Sequence, residues 1–156
     1  MKKLSFIVLI FFITGCNANE SLIDPIKPEF ETISFDVVQK ELIIEDNLPD
    51  NLKILISGWF DEKVKINGFD GDMTFKVSDY AKEISLIDNG KRVDLRLSFN
   101  LVLKKPLLSQ KKIISGNVSS YGTITGNFSL KEFETVIINT QTILVQKLSK
   151  DLNSKI

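Results

Sequence analysis

The segment VDLRLSFNLVL, Val93 to Leu103, constrains the fold more than any other stretch of this chain. Val93, Leu95, Leu97, Phe99, Leu101 and Leu103 alternate with Asp94, Arg96, Ser98 and Asn100. Successive side chains of a strand point to opposite faces, so this is a strand with one buried face and one wet face. A second layer must cover the apolar face. Just upstream, Asp88-Asn89-Gly90-Lys91 is a strong hairpin signal, and the spacing predicts a two-residue type I′ turn centred on Asn89-Gly90. On the other side of that turn Met73, Phe75 and Val77 alternate, after which Tyr80, Ile84 and Leu86 carry the apolar line with changed parity. A parity change inside a strand requires an extra residue, which predicts a β-bulge near Ser78-Asp79. The turn then sets Leu86 opposite Val93, Ile84 opposite Leu95, Tyr80 opposite Phe99 and Glu83 opposite Arg96. Lys82 falls opposite Leu97, where its long stem can cover apolar surface.

Around this hairpin the apolar period switches between the two regular values. Ile33, Phe35 and Val37, followed by Leu42, Ile43 and Ile44, read as one strand over residues 33–45, with a bulge as the way to join the two parts. Pro49 suits a first helical position and Asp50 puts negative charge in the first turn. Leu52, Leu55, Ile56, Trp59, Phe60 and Val64 share one face of a helix expected to end near Asn67-Gly68, with Trp59 and Phe60 at the heart of the core. After a loop through Pro106, Lys112 to Ile124 reads as a strand interrupted by Gly116 and Gly122, which marks either an edge or a close backbone approach. Ser129-Leu130-Lys131-Glu132 is a capping box, and Phe128 and Phe133 have the spacing of a hydrophobic staple. Leu130, Phe133, Ile137, Leu144, Leu148 and Leu152 then run along one helix face, with Lys147, Lys150 and Lys155 near its C-terminal end. The expected domain, residues 33–156, is of the α+β class: β-α-β-β-β-α, a two-layer sandwich whose four-stranded mixed sheet carries two helices on one face. The first parallel connection is expected to be right-handed.

The chain begins differently. Lys2 and Lys3 precede LSFIVLIFFI, a run of about ten apolar residues that suits a signal h-region and falls short of the twenty or so needed to span a bilayer. Ile13-Thr14-Gly15-Cys16 follows and contains the only cysteine. These residues resemble the bacterial lipobox. The resemblance implies that residues 1–15 are a signal peptide cut before Cys16, and that Cys16 carries a diacylglycerol on its sulfur and an acyl chain on its amino group. Two or three chains make a stable anchor where one is marginal. In that reading Cys16 serves neither a disulfide nor nucleophilic catalysis. Loss of residues 1–15 removes two lysines and no acids, leaving a net charge of about −2. Asn17, in place of an aspartate, leans toward the outer membrane where enterobacterial sorting applies, with the domain facing the periplasm. Residues 16–32 comprise the lipidated cysteine and a segment, ANESLIDPIKPEFET, with Pro25 and Pro28. It is read as an extended tether, or alternatively as an edge strand or a wrap around the domain through Leu22, Ile23, Ile26 and Phe30.

Composition narrows the chemistry. Lysine plus arginine equals aspartate plus glutamate at 20 each, so no net charge draws the chain onto nucleic acid. The count of histidine is 0, which removes the commonest general base, the usual zinc ligand and the histidine-dependent nucleophile pairs. Asn67 to Asp72 alternates oxygen ligands with glycine, but the twelfth position counted from Asp70 is Ala81 rather than a bidentate glutamate, so it reads as a connecting loop and not a calcium site. Asp61-Glu62 lies on the polar side of a helix and reads as surface charge. The candidate contacts for anionic lipid or a protein partner are Lys91 and Arg92 at one turn, and Lys104 and Lys105, with Lys111 and Lys112, at the next connection. Catalytic residues, a metal and a cofactor other than the acyl groups on Cys16 are not expected.

With its elements placed, the chain is similar in architecture to the LptE family of lipopolysaccharide-assembly lipoproteins and to the auxiliary lipoproteins of ABC-type lipid transport. The likeness rests on Ile13 to Cys16, the LKILISGWFDEKV helix, the DNGKRVDLRLSF hairpin and the FSLKEFETVI helix. It implies a non-enzymatic accessory or adaptor subunit of an envelope machine, with an envelope protein as partner. A free-standing module that binds an amphiphile between helices and sheet is the second reading, and a carboxylate-dependent hydrolase is the third.

Overall fold

The computed structural model describes residues 23–156; the lipobox and Cys16 lie outside them. The elements are β1 (Ile33–Phe35), β2 (Gln39–Ile44), α1 (Asp50–Lys63), β3 (Val64–Ile66), β4 (Asp72–Ile87), β5 (Gly90–Lys105), β6 (Gln110–Thr125) and α2 (Leu130–Ser154). β2, β4, β5 and β6 form a four-stranded sheet in that spatial order. β2 runs parallel to β4, and the other pairs are antiparallel, so the sheet is mixed as expected. Val93, Leu95, Leu97, Phe99 and Leu101 are all buried beneath the two helices. Trp59 of α1 meets Phe75 of β4 edge-on at 5.7 Å, and Phe75 stacks on Phe99 of β5 at the same centroid distance. Offset and edge-on aromatic contacts of this kind add to plain area burial.

The bulge sits where the parity change put it. Pairing of β4 with β5 shifts between Ser78 and Ala81, and Asp79 takes a φ of 54°. The hairpin register differs from the expected one by two residues. Asp88-Asn89 forms the turn and Ile87 pairs with Gly90, so Ile84 lies opposite Val93, Lys82 opposite Leu95 and Ala81 opposite Arg96. Positive φ falls on Asn89, not on Gly90. Gly90 is required for another reason: a Cβ there would collide with the Ile124 carbonyl oxygen of β6. A two-residue slip exchanges partners without exchanging faces, so alternation alone cannot detect it.

Two further expectations are corrected. Residues 33–45 are not one bulged strand: β1 pairs in parallel with β3 in a separate two-stranded sheet, while β2 joins the main sheet. The first helix ends at Lys63 rather than near Asn67-Gly68, because Val64-Lys65-Ile66 leaves the helix to pair with Ile33-Ser34-Phe35. Lys40 of β2 seals that helix end. Its Nζ donates to the carbonyls of Phe60 at 2.9 Å and Val64 at 2.7 Å, a cation at the negative end of the helix dipole. Burial lowers the Lys40 pKa, opposed by the Asp61 charge and helped by Lys65.

At the other helix the cap is as read. Ser129 Oγ accepts from Glu132 N at 3.2 Å, Glu132 Oε2 accepts from Ser129 N at 2.7 Å, and the Phe128 and Phe133 rings meet at 6.1 Å. α2 packs closely over β6 because Gly122 lacks a side chain: a Cβ would strike Thr140 Oγ1 and come within 2.8 Å of Val136 Cγ1. Both halves of the expectation for this strand hold, since β6 is also the sheet edge. Leu130, expected on the buried face of α2, is exposed at the first helical position, and Val136, Thr140 and Val145 are buried instead.

Of the readings for residues 18–32, the described part follows the wrap. Asn139 Oδ1 accepts from Ile26 N at 2.7 Å and Asn139 Nδ2 donates to Asp24 O at 3.0 Å. Gln146 donates to Glu29 O at 3.4 Å and Asn153 to Glu31 Oε2 at 3.0 Å. Asn139, Gln146 and Asn153 recur every seven residues on one face of α2, so their amides hold residues 24–31 along the helix in the direction of its C-terminus.

Candidate functional site

β5 runs 16 residues without interruption. Of the six basic side chains singled out in the sequence, the four on β5, Lys91, Arg92, Lys104 and Lys105, lie at its two ends, about 45 Å apart at the usual rise per residue. They do not form one patch.

At the end formed by the β4–β5 turn and the start of α2, Lys91 Nζ stands 5.2 Å from the centre of the Phe133 ring and 5.9 Å from Phe128. Arg92 donates through Nε and Nη2 to the two carboxylate oxygens of Asp94, at 2.8 and 2.6 Å, and its guanidinium lies 4.4 Å from the Tyr121 ring. The hydrogen bond from Arg92 holds the Asp94 carboxyl below the usual carboxylate range, and the same bond raises the pKa of Arg92. Both cations are thus committed to partners within the domain.

The opposite end is built by the β5–β6 connection and the loop after β3. Lys104 pairs with Lys111 and Leu103 with Lys112 across the ladder, which gathers the lysines that the sequence spreads over two runs. Lys104 Nζ is 3.9 Å from Asp72, and Lys105 forms an ion pair with Asp36. Asp70 Oδ2 accepts from Leu107 N at 3.2 Å and so positions the 3₁₀ turn Pro106–Leu108. The carboxylates of the Asn67–Asp72 loop, Asp70 and Asp72, therefore face a backbone amide and a lysine rather than a cation site. Phe69, Leu107 and Leu108 are all exposed, and together they line a recess of about 60 Å³ with Asp36, Asp70 and Lys105. Sequence reasoning missed these three apolar residues. The available signal was their position, in a glycine-containing loop and directly after Pro106, where no strand or helix could bury them.

A second recess, of about 500 Å³, lies outside α1 under the wrapped segment and is lined by Pro28, Phe30, Ile54, Leu55 and Trp59 with Glu29, Glu62 and Lys63 at its margins. It is not the helix–sheet groove expected of an amphiphile binder: that interface is filled by Leu52, Ile56, Trp59, Phe60, Phe75 and Val77. Asp61 and Glu62 are exposed on α1, apart from the aromatic core. Among the described residues, no group of three or more acidic or thiol side chains gathers as a metal site would require.

No protein-family model matches the chain. No curated protein matches its sequence. Its architecture is similar to that of solved bacterial proteins. An uncharacterized lipoprotein B from Nitrosomonas europaea aligns at a TM-score of 0.50 and 8% identity, over 85% of this chain and 92% of that one. A minor lipoprotein from Acinetobacter baumannii gives 0.48 and 14%, over 77% and 92%. The rare lipoprotein B from Shewanella oneidensis gives 0.47 and 14%, over 76% and 93%. At these identities the likeness is one of fold.

Proposed function

We infer that this protein is a non-enzymatic lipoprotein of the bacterial cell envelope, held by acyl chains on Cys16 and facing the periplasm. It acts as an accessory or adaptor subunit in envelope assembly or lipid transport, and its partner is an envelope protein. The observation that carries this reading is the β5–β6 end. There Phe69, Leu107 and Leu108 face solvent beside Lys104, Lys105, Lys111 and Lys112, with no layer over them among the described residues. Exposed apolar side chains rimmed by charge characterise a contact surface, and a grouping of this kind needs no reacting group. The lipobox of the sequence supplies the address and the fold supplies the rigid arm. Capture of the native lipoprotein from its own membranes, side by side with a Leu107→Asp, Leu108→Asp variant, tests it. An envelope protein recovered with the former and lost with the latter supports the reading; equal recovery, or recovery of no envelope protein with either, overturns it.

The amphiphile reading keeps one supporting observation, the recess between α1 and the wrapped segment, whose walls are mainly apolar. Native mass spectrometry of the purified chain would reveal a co-purified lipid, lost on Gly58→Leu, since Gly58 lines that recess and its Cα faces open space.

A further inference from the structure

The wrapped segment fixes where an anchor at Cys16 can reach. Asp24 and Ile26 are pinned to Asn139, and residues 24–31 run along α2 toward its C-terminus, so Asp24, the end of this segment nearer Cys16 in sequence, is the one set toward the α2 N-terminus. The eight residues from Cys16 to Asp24 span at most about 28 Å when fully extended. Thr140, beside Asn139, receives the Ser120 hydroxyl on its carbonyl at 2.8 Å, which sets the level of the pin on β6. From Ser120 to Gln110 is about 33 Å of strand before the tip itself is counted, so the β5–β6 end lies at or beyond the anchor's full reach. From Asn139 to Leu130 is about 14 Å of helix, well inside it.

The near end has the surface for that role. Leu86 is 83% exposed and Leu130 is 74% exposed, although each belongs to a regular element. The two sit on either side of Lys91: Leu86 is its partner across the hairpin, and Phe128 and Phe133, under its ammonium, flank Leu130 in sequence. Lys131 is exposed next to Leu130, while Asp88 is the acid at the turn and Glu132 is occupied in the cap. β2 pairs with β4 only as far as Val77, and among the described residues no strand pairs with β4 on that edge beyond it.

We propose that the β4–β5 turn and the first turn of α2 form the membrane-docking face of the domain, with Leu86 and Leu130 entering the lipid interface beside the anchor and the β5–β6 end held away from the bilayer. The proposal rests on the reading of Cys16 as lipid-bearing. Attachment by acyl chains makes the second contact intramolecular, so two leucines suffice to set orientation without supplying the affinity. The exposed Lys131 beside Leu130 meets phosphates.

The test uses the full chain purified from bacterial membranes and returned to phosphatidylethanolamine–phosphatidylglycerol vesicles whose acyl chains carry bromine near the headgroup. Tryptophan is placed at each end in turn, as Leu86→Trp and Leu107→Trp, both at exposed positions; the wild-type signal from buried Trp59 is subtracted. Quenching of the Leu86→Trp signal by at least about twofold, with Leu107→Trp unaffected, is expected of a docked interfacial residue. Equal quenching, the reverse pattern or none at either position overturns the docking face. The mass of the N-terminal peptide separates the two claims. A lipid-bearing Cys16 with unquenched Leu86→Trp sinks the docking face alone, and an unmodified Cys16 sinks the anchor and the docking face together.

Discussion

The two ends of the long hairpin start from similar sequence and finish as different surfaces. Each has a pair of cations beside a tight connection, Lys91-Arg92 at one and Lys104-Lys105 at the other. At the first, α2 begins, and Phe128 and Phe133 lie under Lys91 while Asp94 accepts from Nε and Nη2 of Arg92. At the second, α2 has already ended near Ser115, where the Lys155 Nζ donates to the Ser115 carbonyl at 3.1 Å, and the strands continue alone. Leu107 and Leu108 therefore find no second layer. The difference teaches that a basic pair at a turn takes its meaning from whether another element reaches it.

The comparison breaks if the two ends contribute equally to stability. Phe133→Ala, which empties a buried site beneath the cap, is expected to cost about 3–5 kcal/mol, while Leu107→Ala stays within about 0.5 kcal/mol. Urea midpoints measure both, and comparable losses would show that the far end is part of the core. A smaller effect isolates the cap: Ser129→Ala should lower stability by about 1 kcal/mol, with Ser129→Gly costing less, since glycine tolerates the N-cap backbone. Helicity by circular dichroism and the urea midpoint should fall together. The smallest effect belongs to the exposed Arg92–Asp94 pair. Its hydrogen bond depresses the folded Asp94 pKa, so its contribution is present above the ordinary carboxylate range of about 4 and is lost as pH falls through the lower folded value. Asp94→Asn should accordingly differ from the wild type at pH 7 and converge with it in acid; a gap that persists at low pH would assign the effect to something other than the charge.

Much of the frame was legible because it rests on local rules. The alternation of β5, the bulge at Ser78-Asp79 and the Ser129–Glu132 box each follow from neighbours in sequence, and each is found where expected. Other features depended on remote partners. Val64 fits a helical stripe at four residues from Phe60, and only Ile33 to Phe35, far away in the chain, makes it the start of a strand. Asn139, Gln146 and Asn153 look like the polar side of α2; their role emerges only when residues 24–31 are laid against them. At the candidate surfaces the lysines were visible as sequence runs, whereas the separation of Lys91 from Lys105 and the pairing of Lys104 with Lys111 required the strands to be laid out.

By itself, then, the sequence determined which residues alternate, where the last helix starts and that a lone cysteine follows an apolar run, since these are properties of contiguous residues. Tertiary structure alone decided the hairpin partners, the split of residues 33–45 between two sheets and the course of residues 24–31 along α2. Those depend on contacts between distant segments, and a slip of two residues or a change of strand partner leaves the local pattern of faces unchanged.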